Sequence, residues 1–84
     1  MNDYTDAAPE SASDDTARQV ESLLTSGEEA SRTGDAKSAL AAFNKAISLD
    51  PSSDMAWFNR GVLLEAQQDA RGARQAFQIC LDVN

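Results

Sequence analysis

Few side chains in this chain could do chemistry, and their spacing argues against a reaction centre. Among 84 residues there is no histidine and a single cysteine, Cys80. Without imidazole there is no Ser-His-Asp or Cys-His nucleophilic pair, no histidine acid–base catalyst and no common zinc set. Two acidic doublets, Asp14-Asp15 and Glu28-Glu29, invite a metal reading. Adjacent residues diverge around a helix, so neither doublet closes a cage; capping and solvation account for them. The glycines Gly27, Gly34, Gly61 and Gly72 form neither a Gly-x-Gly-x-x-Gly nor a Walker pattern, and no strand signal precedes them. These residues point away from an enzyme, and no cofactor or metal is expected.

Charge narrows the partners. The formal net charge is −7. More than half of it lies in residues 1–19, where Asp3, Asp6, Glu10, Asp14 and Asp15 face only Arg18. No basic patch is visible, so a nucleic-acid partner is not expected. No apolar run approaches the roughly 20 residues of a membrane-spanning helix. The acidic start, Met1-Asn2-Asp3-Tyr4, lacks the apolar stretch of a secretory signal. One cysteine permits no internal disulfide, which fits a reducing compartment, and a cytoplasmic location is expected.

The elements that position these residues are helices. Residues 1–13, rich in Asp, Ser, Ala and Pro, are expected to be a disordered acidic tail. From Asp14 onward Ala17, Val20, Leu23, Leu24, Gly27 and Ala30 make one helical stripe, with Asp14 or Asp15 as its cap. Gly34 ends that helix and Asp35 caps a second, striped by Ala36, Ala39, Leu40, Phe43, Ala46 and Ile47. Asp50-Pro51 closes it, because the residue before a proline avoids the helical region. Ser52 or Ser53 caps a third helix bearing Ala56, Trp57, Gly61 and Leu64, with Phe58 and Val62 beside them. Asp69 caps a fourth, whose inner face is Ala70, Ala73, Phe77, Cys80 and Leu81. No segment alternates with period two. The expected fold is all-α, two tandem antiparallel helix hairpins over 14–84.

The two hairpins repeat each other. Gly27 recurs as Gly61, Asp35 as Asp69, Ala36 as Ala70, Ala39 as Ala73 and Phe43 as Phe77, each 34 residues on. A fixed period of this size marks a repeat architecture, in which each unit buries its face against the next. The pattern resembles the tetratricopeptide repeat family, whose first helix carries Trp-x2-Leu-Gly-x2-Tyr and whose second carries Ala-x3-Phe-x2-Ala, then Pro. The first unit, about 20–53, shows Leu23, Gly27, Ala30, Ala39, Phe43, Ala46 and Pro51; the second, about 54–84, shows Trp57, Gly61, Ala73, Phe77 and Cys80. Leu23 stands in place of the Trp, Ser26 and Arg60 in place of the Leu, Ala30 and Leu64 in place of the Tyr, and Cys80 in place of the last Ala. Gly27 and Gly61 allow a neighbour to approach closely, with Ala39 and Ala73 as small partners and Phe43 and Phe77 filling each hairpin.

The resemblance implies a non-enzymatic protein-binding scaffold whose first helices line a concave groove. Carried over, that groove is Glu21, Leu24, Thr25 and Glu28, then Met55, Phe58, Asn59, Val62 and Glu65. It suits a peptide with apolar anchors and some basic residues. The competing reading is that Leu24, Phe58 and Val62 pack helix on helix while Asn59 and the glutamates are solvated. Chaperone-binding members of the family clamp a carboxylate with a Lys and two Asn; of those positions, Leu24 and Glu28 depart and only Asn59 matches, so acidic chaperone tails are not expected to bind.

Two repeats leave an edge. The fourth helix carries Phe77, Ile79, Cys80, Leu81 and Val83, too apolar to face water. Three solutions present themselves: a longer array, a homodimer through this helix at Phe77, Cys80 and Leu81, or cover from an extended first helix. Cys80 is then either a small buried hydrophobe or an edge thiol able to cross-link two chains under oxidising conditions. The function expected is a protein-interaction module, or alternatively a homo-oligomerisation module or the accessory domain of a larger protein.

Overall fold

A computed structural model describes residues 14–84 of the chain; the acidic tail expected over 1–13 lies outside them. Four helices follow one another: α1 (Asp14–Arg32), α2 (Ala36–Leu49), α3 (Asp54–Ala66) and α4 (Ala70–Val83), with no strand among the described residues. The fold is all-α, two helix hairpins in tandem. α1 packs on α2 and α3 on α4, and the hairpins join mainly through α2 and α3, with α1 also touching α3. α1 does not reach α4, so it cannot cover the apolar face of that helix. This removes one of the three solutions to the edge.

Caps set the boundaries. Asp35 accepts from the Ser38 N–H at 3.1 Å, Asp69 from the Gly72 N–H at 3.0 Å, and Ser53 from the Ala56 N–H at 3.3 Å. Each satisfies a backbone donor that the first helical turn leaves orphaned. Ser38, through its side chain first and its backbone N–H second, holds the exposed Asp35 carboxyl below its ordinary value. Asp14 and Asp15 are not caps as the sequence suggested. They lie inside the first turn of α1, where negative charge favours the helix dipole, and Asp15 pairs with Arg18 at 2.7 Å. In the loop between hairpins, Ser52 donates to the Asp50 carboxylate from its N–H at 3.2 Å and its hydroxyl at 2.8 Å.

Both hairpin turns close the same way. After α1 the Gly34 N–H bonds to the Ser31 carbonyl at 3.1 Å and the Asp35 N–H to Ala30 at 2.8 Å. After α3 the Gln68 N–H bonds to Glu65 and the Asp69 N–H to Leu64, both at 2.9 Å. The motif needs a left-handed residue, and Gly34 supplies it at φ 88°. Gln68 fills the same place at φ 66° despite its Cβ, a conformation that costs an L-residue roughly 1–2 kcal/mol.

The core is small and mostly alanine. One cluster joins Val20, Ala46 and Ala56 from α1, α2 and α3; the other joins Ala39 and Phe43 of α2 to Leu63 of α3. Leu63 and Ala76 are buried although the expected stripes passed them by, and Ala17 and Ala70 are exposed although the stripes included them. The glycines do admit a close neighbour, and that neighbour is the phenylalanine ring. A Cβ on Gly27 would overlap Phe43; one on Gly61 would sit 2.5 Å from Phe77 Cε1.

Candidate functional site

The first helices α1 and α3 lie side by side, and α3 carries the most conspicuous surface feature. Met55, Phe58 and Val62 are 51%, 46% and 45% exposed. Their spacing of three and four puts them on one face of α3. Together they form an exposed apolar patch on a small domain. The Phe58 ring leans on Phe77 of α4, centroids 5.8 Å apart at 47°, which fixes one side of it and leaves the other to solvent.

Asn59 joins the two halves of the face. Its Nδ2 donates to the Glu28 carboxylate of α1 at 3.1 Å, across a separation of 31 residues. Glu28, Asn59 and Val62 line one shallow depression of about 200 Å³, with Phe43 and Leu63 below. Small-molecule sites occupy roughly 300–1,000 Å³, so this depression is smaller than most of them. Among the described residues, no group of three or more His, Cys, Asp or Glu gathers to hold a metal ion.

The other groove candidates are dispersed. Leu24 is half-buried and packs against both core clusters, so much of its side chain is committed to the fold. The Thr25 hydroxyl donates to the Glu21 carbonyl of its own helix at 3.1 Å. Glu21 is exposed on the same helix. Glu65 lines a different depression, with Arg74, Phe77 and Leu81 of α4. Of the edge residues, Leu81 is 70% exposed. Phe77 and Cys80 are half-buried.

Sequence reasoning passed over the role of Arg60. It stands where the repeat pattern has a leucine, and the structure stacks its guanidinium 5.8 Å from the Trp57 ring. Its Nε is buried without a hydrogen-bond partner among the described residues. Trp57 is anchored separately, its Nε1 donating to the Pro51 carbonyl at 2.8 Å. The departure from leucine was legible in the sequence; its packing against Trp57 was not.

Tandem hairpins, each closing a phenylalanine over a glycine, define a helical repeat scaffold with an exposed apolar stripe on its second unit. Comparison with known proteins makes the class specific. The model of the tetratricopeptide repeat family matches residues 24–82, and the chain belongs to that family. An uncharacterized protein of Methanocaldococcus jannaschii is 36% identical over 64 residues, which cover 76% of this chain and 74% of that protein. No solved structure matches the chain. The family is a non-catalytic scaffold that mediates protein–protein interaction. No helix among the described residues is long and apolar enough to cross a membrane.

Proposed function

We propose that the chain is a non-enzymatic adaptor whose α1–α3 face binds a segment of a protein partner, in the cytoplasm. The observation that carries this reading is the exposed triplet Met55, Phe58 and Val62 on one helix face. The face has two halves of different character. α1 contributes Glu21 and Glu28, whereas the equivalent places on α3 hold Met55 and Val62. A matching segment places bulky apolar side chains against α3 and a lysine or arginine against α1. Asn59, held by Glu28 at the seam, keeps a second N–H and its carbonyl oxygen for the segment's backbone. Glu28 repels a carboxylate, so acidic chaperone tails are not ligands.

The test is selection from a random peptide library on the full chain, with Met55→Ala/Val62→Ala as the counter-selected control. Both side chains are about half exposed, so the control keeps the fold, which circular dichroism verifies. The expected result is enrichment of peptides that pair Leu, Phe or Met with a basic residue, with binding lost in the control. Enriched peptides that are acidic, or that bind the control equally, would sink the reading.

A further inference from the structure

The internal repeat shows what the open edge of α4 lacks. In the first hairpin, Leu63 of α3 packs onto Ala39 and Phe43 of α2, and Ala36 and Leu40 pack against that cluster. The equivalent places in the second hairpin are Ala70, Arg74 and Phe77; Phe77 meets only its own hairpin, at Phe58 and Gly61, and no further helix among the described residues packs on this face. Instead there is a depression of about 290 Å³ floored by Ala73, Phe77 and Leu81 and rimmed by Glu65 and Arg74. Leu81 stands 70% exposed.

We infer that this edge closes against a second copy of the chain, related by a two-fold axis. The rim selects that occupant. It carries one carboxylate and one guanidinium, and neither Glu65 nor Arg74 forms an ion pair among the described residues. A two-fold interface makes every contact between unlike residues twice, so Glu65 of each copy meets Arg74 of the other while Leu81 and Phe77 meet over the apolar floor. The chain as a whole is strongly acidic at −7, which opposes self-association. At this edge Glu65 and Arg74 offset one another, so the rim adds nothing to that repulsion. This surface lies beyond the groove proposed above and can fail independently of it.

Sedimentation equilibrium of the full chain over a wide dilution series tests the inference. A monomer–dimer equilibrium is expected. Leu81→Glu, at a largely exposed position that folding does not need, is expected to raise the dissociation constant by about tenfold or more. Arg74→Glu alone sets acid against acid and weakens the dimer similarly. The double variant Glu65→Arg/Arg74→Glu restores it, and an equimolar mixture of Glu65→Lys with Arg74→Glu gives a heterodimer. A chain that stays monomeric throughout the series overturns the inference. So does a dimer that Leu81→Glu and Arg74→Glu leave intact, or a double variant as weak as the single.

Discussion

The two hairpins are built on one pattern but face different surroundings, and the pairs of equivalent residues show where those surroundings enter. On the helix that opens each unit, Leu63 of α3 corresponds to Glu29 of α1. Leu63 is 3% exposed against Ala39 and Phe43, whereas Glu29 is solvated and pairs with Arg32 at 2.7 Å. The same helical position is apolar where another hairpin precedes it and charged where, among the described residues, none does. The closing helices show the reverse. Phe43 is 2% exposed and Ala46 fully buried, while their equivalents Phe77 and Cys80 are half-buried. Among the described residues, the N-terminal edge of the pair is therefore the more polar and the C-terminal edge the more apolar.

The largest effect that could break this comparison is at Leu63. Leu63→Glu copies the first repeat's residue into the second and is expected to cost about 4 kcal/mol, because it removes a packed side chain and buries an unpaired charge. Glu29→Leu, the reciprocal change on the polar edge, is expected to shift stability by less than about 0.5 kcal/mol. Urea unfolding measures both. Similar losses for the two would show that the position does not depend on its neighbours.

A smaller difference is expected between the glycines. Gly27→Ala drives a methyl into Phe43, a ring fixed on all sides, and is expected to cost about 2 kcal/mol even after the gain in helix propensity. Gly61→Ala meets Phe77, which is half-buried and has room to move, so about 1 kcal/mol or less is expected. Equal shifts in the unfolding midpoint would mean that Phe77 is as firmly held as Phe43.

The turns sharpen the comparison further. Gln68→Gly relieves the left-handed residue and is expected to stabilise the chain by about 0.5–1 kcal/mol, the relief exceeding the added freedom of the unfolded chain. Gly34→Gln is expected to lose a similar amount. Thermal melts of the pair check the two signs; a destabilised Gln68→Gly would show that the Gln68 side chain contributes something the turn geometry does not account for.

The smallest effect is electrostatic. Bonds from Ser38 hold the Asp35 carboxyl below its ordinary value, so the folded state binds this proton less readily than the unfolded state. The contribution is complete above the ordinary Asp value of about 3.9 and is lost as pH falls through the lower folded value. Asp35→Asn is therefore expected to flatten the acid limb of a stability-versus-pH curve and to change little of its shape near neutrality. An unchanged acid limb would remove Asp35 from the account.

Much of this was legible in the chain itself. The period from Gly27 to Gly61 and from Phe43 to Phe77 carried the resemblance to the family, and Asp35 and Asp69 marked two helix starts because an N-cap acts within one turn; for the third the sequence offered Ser52 or Ser53, and Ser53 is the cap. Asp14 and Asp15 were misplaced by a short step, since an acid in the first turn and an acid at the cap look alike in a sequence. Leu63 escaped the expected stripe because α3 is gripped by α2 as well as α4 and buries more than one stripe, whereas Ala76 sits on α4, which packs on α3 alone. The groove was readable only as a set of positions. That Leu24 is taken up by the core, that Thr25 bonds its own helix and that Asn59 reaches Glu28 across the hairpins depends on how α1 and α3 lie together.

Local chemistry was enough to determine the helices, their caps and the repeat, because each depends on residues no more than a few positions apart or on a regular spacing. The tertiary structure decided where the two copies part company: Phe43 and Ala46 are buried while Phe77 and Cys80 are half-buried, whereas Ala39 and Ala73 are buried alike. That difference rests on which helix is adjacent in space. α3 covers the face of α2, no further helix in the described chain packs on the equivalent face of α4, and so Phe43 and Ala46 become core while their equivalents stay half-buried.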